Sequence, residues 1–322
     1  MQRREIIMIL GGAAAATVGA FAQTTKRRVA WLGIGSGVGT SPYLDSLRAG
    51  LADHGWVEDR NLALSIFWAR GREDMEGAAR AMLSTNPEVV VTQELMVYAV
   101  QPLQPMMPIV FGFSGDPVDG KLVDGLARPG GNFTGMSYLA LALVGKRIEI
   151  LKEWQPQLRR IAVLAQPQHP GEPRERQASE EAAAKLGVAL SYHPVMGIAG
   201  LDKALTDIRN DDCDALLVFP DSTMYRVSER IAEFAVAAKL PSVSGWAPFA
   251  RNGILLTYGP NIRDLYRSLA RYVDRILRGT KPADLPVEQP TTFELVINSR
   301  TAKTLGLTIP PSLFARADEV IE

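Results

Sequence analysis

An apolar run that opens with arginine recurs in this chain at a fixed distance. Arg28-Val29-Ala30-Trp31-Leu32-Gly33 reads as a short buried strand, and Arg160-Ile161-Ala162-Val163-Leu164 repeats it 132 residues later. The helix stop at His54-Gly55 returns at Leu186-Gly187, again 132 residues on, and Pro108-Ile109-Val110 returns as Pro241-Ser242-Val243 at a spacing of 133. Val89 to Thr92 is echoed by Ala215 to Phe219. Between these runs lie helical patterns. Ser41-Pro42 offers a cap and a first-position proline, Leu44, Leu47 and Leu51 give one apolar face, and Gly55 ends it. Leu62 to Trp68 and Ile109 to Phe113 read as further strands, and Arg72 to Leu83 as a helix. Strands alternating with helices signal parallel βαβ units. Any long α/β chain shows such beats, but several landmarks at one spacing favour two lobes of the same design.

A length of 322 residues also fits about two domains. Lys plus Arg and Asp plus Glu each number 35, and this balance argues against a nucleic-acid binder, which carries a basic excess or patch. The single cysteine, Cys213, excludes an intramolecular disulfide, and three scattered histidines (His54, His169, His193) build no His/Cys zinc cage with it. No metal or cofactor is expected. Met1 to Ala22 has the order of a secretory signal: Arg3-Arg4, an apolar stretch from Ile6 to Ala16 too short to span a bilayer, then Ala20-Phe21-Ala22. The arginine pair also suits a twin-arginine signal, and the route stays open. The mature chain is expected to begin at Gln23 as an exported, soluble protein.

Doubly wound sheets place their ligands at strand carboxyl ends. In the first lobe those ends carry Ser36 to Ser41, Thr92-Gln93-Glu94 and Ser114-Gly115-Asp116-Pro117; in the second, Gln166 to Gly171, Pro220-Asp221-Ser222-Thr223 and Gly245-Trp246. The predicted ligand-binding set is Ser36, Thr92, Gln93 and Asp116 of one lobe and Gln166, Asp221 and Trp246 of the other, with Ser137 and Tyr258 on the hinge side. Helix N-termini and hydroxyls would hold a carboxylate, Asp116 or Asp221 an ammonium, and Trp246 an aromatic body. Bland readings stand beside these: a turn for Asp116-Pro117, and a core plug for Trp246. Gly33 to Thr40 fits neither G-x-G-x-x-G nor a P-loop, and there is no G-x-S-x-G and no H-E-x-x-H. The acidic cluster Asp211-Asp212-Cys213-Asp214 reads as a solvated turn.

The chain resembles the bacterial ABC-transporter substrate-binding family that includes the tryptophan- and tyrosine-binding proteins. The resemblance runs through Gly50-Leu51-Ala52-Asp53-His54-Gly55-Trp56, Gly115-Asp116-Pro117-Val118, Leu126-Ala127-Arg128-Pro129-Gly130-Gly131-Asn132-Phe133-Thr134-Gly135 and Lys281-Pro282-Ala283-Asp284-Leu285-Pro286-Val287. It implies a type I periplasmic binding protein: two Rossmann-like lobes joined by three hinge crossovers, closing over a small molecule and presenting it to a permease and its ATPase. On that pattern residues 26–137 plus 258–290 form the first lobe, and 138–257 plus 291–322 the second. Gln166-Pro167 stands where the family often has Asn-Pro, and Gln93 and Glu94 stand where small residues are usual. The expected function is a monomeric, periplasmic, non-enzymatic carrier of an amino acid or aromatic acid. The alternatives are a ligand sensor for a membrane receptor and a secreted hydrolase using Asp116 and Asp221.

Overall fold

A computed structural model describes residues 25–35, 41–138 and 141–322. The expected leader, Met1 to Ala22, and the candidate Ser36 lie outside these residues. The strands sort into two sheets. The first holds β1 (Arg27–Ile34), β2 (Leu62–Ala69), β3 (Val89–Gln93), β4 (Ile109–Phe113) and β5 (Phe133–Ser137) in the order β2-β1-β3-β4-β5, every pair parallel. The second holds β6 (Arg160–Ala165), β7 (Ala189–Pro194), β8 (Ala215–Val218), β9 (Ser242–Ser244), β10 (Leu256–Pro260), β11 (Phe293–Asn298) and β12 (Glu319–Ile321). Its order is β12-β11-β10-β9-β8-β6-β7, parallel except for the β10–β11 pair.

The run β7-β6-β8-β9-β10 repeats β2-β1-β3-β4-β5 strand for strand. The recurrent spacing in the sequence is therefore a recurrent topology. In each lobe the strand order reverses between the first and third strands, which opens a crevice at their carboxyl ends.

Local chemistry moves two of the expected boundaries. The helix expected from Arg72 starts as a single 3₁₀ turn, Arg72–Asp74, before the α-helix Met75–Ser84, because the Asp74 carboxylate turns back to accept from the Arg70 N–H at 3.2 Å. The strand expected to reach Phe219 ends at Val218, since Pro220 has no N–H to extend the ladder.

Three crossovers join the lobes. The chain leaves the first sheet after Ser137, and later returns to it at Asn261, whose side chain caps the helix Ile262–Leu277 by accepting from the Asp264 N–H at 3.2 Å. Tyr258, taken from the sequence as the start of the returning segment, stays in the second sheet, where β10 pairs with β11 as far as Pro260. Glu288 bridges to Met136 at the edge of the first sheet before β11 begins at Phe293.

The helix Ile262–Leu277 buries Leu265, Leu269, Tyr272 and Ile276 against the helix Pro42–Asp53 and β3 to β5. Each such side chain contributes about 1.5–3 kcal/mol by leaving water. The two helices meet at Gly50, where an added Cβ would overlap the Arg267 carbonyl oxygen and come within 2.8 Å of the Ala270 Cβ. Gly50→Ala is therefore expected to destabilise by about 1–3 kcal/mol through overpacking. A urea midpoint unchanged from wild type would show that the helices separate without cost.

Candidate functional site

The carboxyl ends of the two sheets face one another, and their loops meet. At the end of β3 the chain turns sharply through Glu94, which holds φ at +49° although it carries a side chain. A non-glycine residue in that region is strained and persists where its surroundings hold it. Here they do. Glu94 Oε2 accepts from the Ser114 hydroxyl at 2.5 Å, and Oε1 accepts from the Tyr138 hydroxyl. Burial pushes the Glu94 carboxyl up to about 8, and the Ser114 hydroxyl only partly opposes that rise.

His169, from the loop after β6 in the other lobe, completes the cluster. Its Nδ1 accepts from the Gly171 N–H at 3.2 Å, so its proton sits on Nε2, which donates to Ser114 Oγ at 2.7 Å. The bonds then run one way, from His169 to Ser114 to Glu94. The serine hydroxyl donates to Glu94 Oε2 and not to the imidazole, the reverse of an activated nucleophile. Burial lowers His169 to about 4, which keeps it neutral.

Beside this cluster Trp246 packs edge-on to Tyr138, ring centroids 5.8 Å apart, and to Phe249 at 6.1 Å. Tyr138 reaches Tyr266 at 3.5 Å, and Tyr266 stacks on Tyr43 with centroids 5.0 Å apart. Trp246, Tyr138 and Ser114 line a void of about 10 Å³, close to the least that holds one water. Arg147 and Glu175 form its floor, a buried ion pair at 2.9 Å. The roomier space lies at the cleft mouth. There a cavity of about 340 Å³ opens between the lobes, with Ile34, Met75 and Leu95 on one side and Gln166, Ile198 and Thr223 on the other. Its volume falls in the range of small-molecule sites.

Of the expected site residues, Gln166 lines the mouth cavity and Trp246 the inner void. Gln93 is buried, and its Oε1 has no hydrogen-bond partner among the described residues. Two others hold backbone: Thr92 donates to the Leu32 carbonyl at 3.1 Å and Ser137 to the Gly115 carbonyl at 3.0 Å. Tyr258 has its own carbonyl held by Arg147 Nε at 2.9 Å. Asp221 is an N-cap whose carboxylate accepts from the Thr223 and Met224 N–H groups, with its pKa pushed up to about 6 by burial. Asp116 turns its own loop by accepting from the Val118 N–H at 2.8 Å, and meets Arg174 of the second lobe at 3.2 Å. Arg174 also holds Asp119, so the two lobes are tied by ion pairs at the cleft edge. Both Asp116 oxygens are taken by protein groups, whereas Asp221 uses only Oδ1 for its cap.

Ser114, Tyr138, His169, Arg147 and Glu175 are absent from the ligand-binding set expected from the sequence, and Glu94 stands out there only as a departure from the small residues usual at its position. Glu94, Ser114 and His169 lie within a few residues of a strand carboxyl end, and that position was the available signal. Elsewhere, His193, Asp211 and Cys213 group closely enough to hold a metal ion, but Asp211 is already engaged by Arg160 at 2.8 Å.

Duplicated Rossmann-like lobes, three crossovers and an interlobe cleft at both switch points make this a type I periplasmic binding protein fold. Comparison with known proteins agrees. The chain belongs to the family of ABC transporter substrate binding proteins, whose family model matches residues 36–321. It is 22% identical over 282 residues to the tyrosine-binding protein of Clostridioides difficile (strain R20291), covering 83% of this chain and 78% of that one. A conserved domain protein from Vibrio cholerae superposes with a TM-score of 0.83 at 30% identity, covering 92% of this chain and 99% of that one. The ABC domain from Streptococcus pneumonia in complex with L-Trp superposes with the same TM-score at 22% identity, covering 92% of this chain and 100% of that one. Among the described residues no helix is long and apolar enough to cross a membrane.

Proposed function

We propose that this protein is exported and captures a small carboxylate-bearing solute, an amino acid or an aromatic acid, in the cleft between its lobes. It then delivers the solute to a membrane permease and its ATPase. The observation that carries the reading is the cavity of about 340 Å³ walled by both lobes at their switch points. A solute seated there touches both lobes at once, so its binding energy favours the closed arrangement over the open one. The relatives that bind tyrosine and tryptophan support an aromatic body for the solute. The direction of the His169–Ser114–Glu94 bonds supports holding over turnover, as does the engagement of Asp116 and Asp221 by other groups. The signal-like order of Met1 to Ala22 supports export to the periplasm.

A thermal-shift panel of aromatic amino acids and aromatic acids tests this. A ligand at 100 times its Kd is expected to stabilise the protein by about 2.7 kcal/mol. For a chain of this size that is a rise of roughly 4–5 °C in Tm. Flat melting curves across the panel would overturn the ligand class. A chemically altered product from a compound shown to bind would overturn the transport reading.

A further inference from the structure

The mouth cavity carries an uneven charge. Its wall holds three guanidinium groups, Arg70 and Arg72 from the first lobe and Arg226 from the second, against one carboxylate, Glu73. Arg70 leans on Asp74 at 3.5 Å. Arg72 and Arg226 have no ion-pair partner among the described residues, and both are exposed at the rim. The other wall gives a second, independent observation. Gln166 is only 2% exposed, and its Oε1 has no hydrogen-bond partner among the described residues. A buried acceptor without a donor is costly, so an N–H or O–H of an occupant would complete it. Apolar Met75, Leu95 and Ile198 line the cavity with these two polar features.

An ammonium group finds little here. Glu73 is the one carboxylate among the residues that wall the cavity; outside the wall, Glu94 is held by Ser114 and Tyr138, Asp116 by Arg174, and Asp221 accepts the N–H groups it caps through Oδ1. We propose that the ligand is an aromatic carboxylic acid without an α-ammonium group, its carboxylate between Arg72 and Arg226 and its ring N–H or O–H on Gln166 Oε1. This rests on the solute-binding reading above and narrows it. Because the two arginines come from opposite lobes, the carboxylate also bridges the cleft. Guanidinium groups suit that bridge, since each offers a planar fork to a carboxylate.

Calorimetry on the purified full chain tests the proposal with four probes: des-amino-tyrosine, L-tyrosine, tyramine and hydrocinnamate. Des-amino-tyrosine is expected to bind at least about tenfold more tightly than L-tyrosine, and tyramine not at all, since each unmet charge forfeits a charge-assisted bond. Arg72→Gln and Arg226→Gln are each expected to weaken des-amino-tyrosine by about 10- to 150-fold, the worth of one such bond. Gln166→Leu should abolish the preference for des-amino-tyrosine over hydrocinnamate, which lacks the ring hydroxyl. Both arginines are exposed, so their variants keep the fold, and circular dichroism checks this. If L-tyrosine binds as tightly as its des-amino analogue, and the arginine variants stay within about twofold of wild type, the proposal falls while the solute-binding reading stands. If none of the four binds wild type, the proposal falls, and the wider thermal-shift panel decides the reading separately.

Discussion

Arg147→Ala is expected to destabilise the protein by about 3–5 kcal/mol, the usual cost of stripping one partner from a buried ion pair. Arg147 projects from the helix Ala142–Trp154, and its side chain is 3% exposed. Its Nη1 donates to Glu175 Oε1 and its Nε to the Tyr258 carbonyl, both at 2.9 Å. Burial holds Glu175 up at about 7 even with the guanidinium beside it. Without Arg147 that carboxyl must stay protonated or draw water into the second lobe, and the Tyr258 carbonyl loses its donor. Arg147→Met combined with Glu175→Leu removes both charges and refills the space, so the double variant should recover most of the loss. Urea denaturation followed by far-UV circular dichroism measures all three proteins. A single variant within about 1 kcal/mol of wild type would refute the account, because a partner left charged in that interior costs more.

The second large effect is a dependence on pH set by Glu94. Its folded pKa of about 8 lies above the ordinary 4.5, so the folded protein keeps a proton that the unfolded chain has released. The stabilisation is fully present below pH 4.5 and is lost as pH rises through 8, on the order of 5 kcal/mol across the window. Protonated, Glu94 can donate to Tyr138, whose hydroxyl then turns to the Gly112 carbonyl at 3.4 Å. His169 acts with the opposite sign. Its folded pKa of about 4 lies below 6.5, so its contribution is present above pH 6.5 and fades as pH falls toward 4. Between pH 6.5 and 8 the buried carboxylates therefore dominate. Wild type should lose stability over that interval, while Glu94→Gln, which keeps a neutral acceptor in place, should lose markedly less and be the more stable protein at pH 8. Urea midpoints at the two pH values provide the comparison. Parallel slopes for the two proteins would falsify the assignment of the proton to Glu94.

Much of the fold was legible because strand and helix periods are local. Ile109 to Phe113 is apolar throughout and flanked by Pro108, so it reads as a buried strand and forms one. Ser41-Pro42 reads as a helix start, and Ser41 Oγ accepts from the Leu44 N–H at 3.4 Å. At the cleft, locality carries less. Asp116 and Asp221 follow strands and so read as ligand groups, but a position in the chain does not show that each also holds its own loop or helix, and Asp116 an arginine from the facing lobe. Glu94 and His169 are joined through one serine, although 75 residues separate them in the chain. No spacing in one lobe encodes which residue of the other will meet it, and the strained turn at Glu94 follows from partners supplied by distant strands.

The helix Ile262–Leu277 has a bearing on how the molecule is made. It covers the first sheet, yet it is translated more than a hundred residues after β5. Leu277 receives Arg27 Nη1 at 2.7 Å, and the Leu285 carbonyl receives the Thr134 hydroxyl at 2.7 Å. At common synthesis rates the interval from Ser137 to Glu288 takes roughly 8–30 s. Through that time the nascent first sheet lacks the helix that packs against β3 to β5 and against the helix Pro42–Asp53, and the apolar surface it will cover stays open. The segment born first therefore waits through the synthesis of β6 to β10, so this lobe passes the ribosome as an apolar, unfinished surface while the second lobe can already begin its own β6 to β9 core.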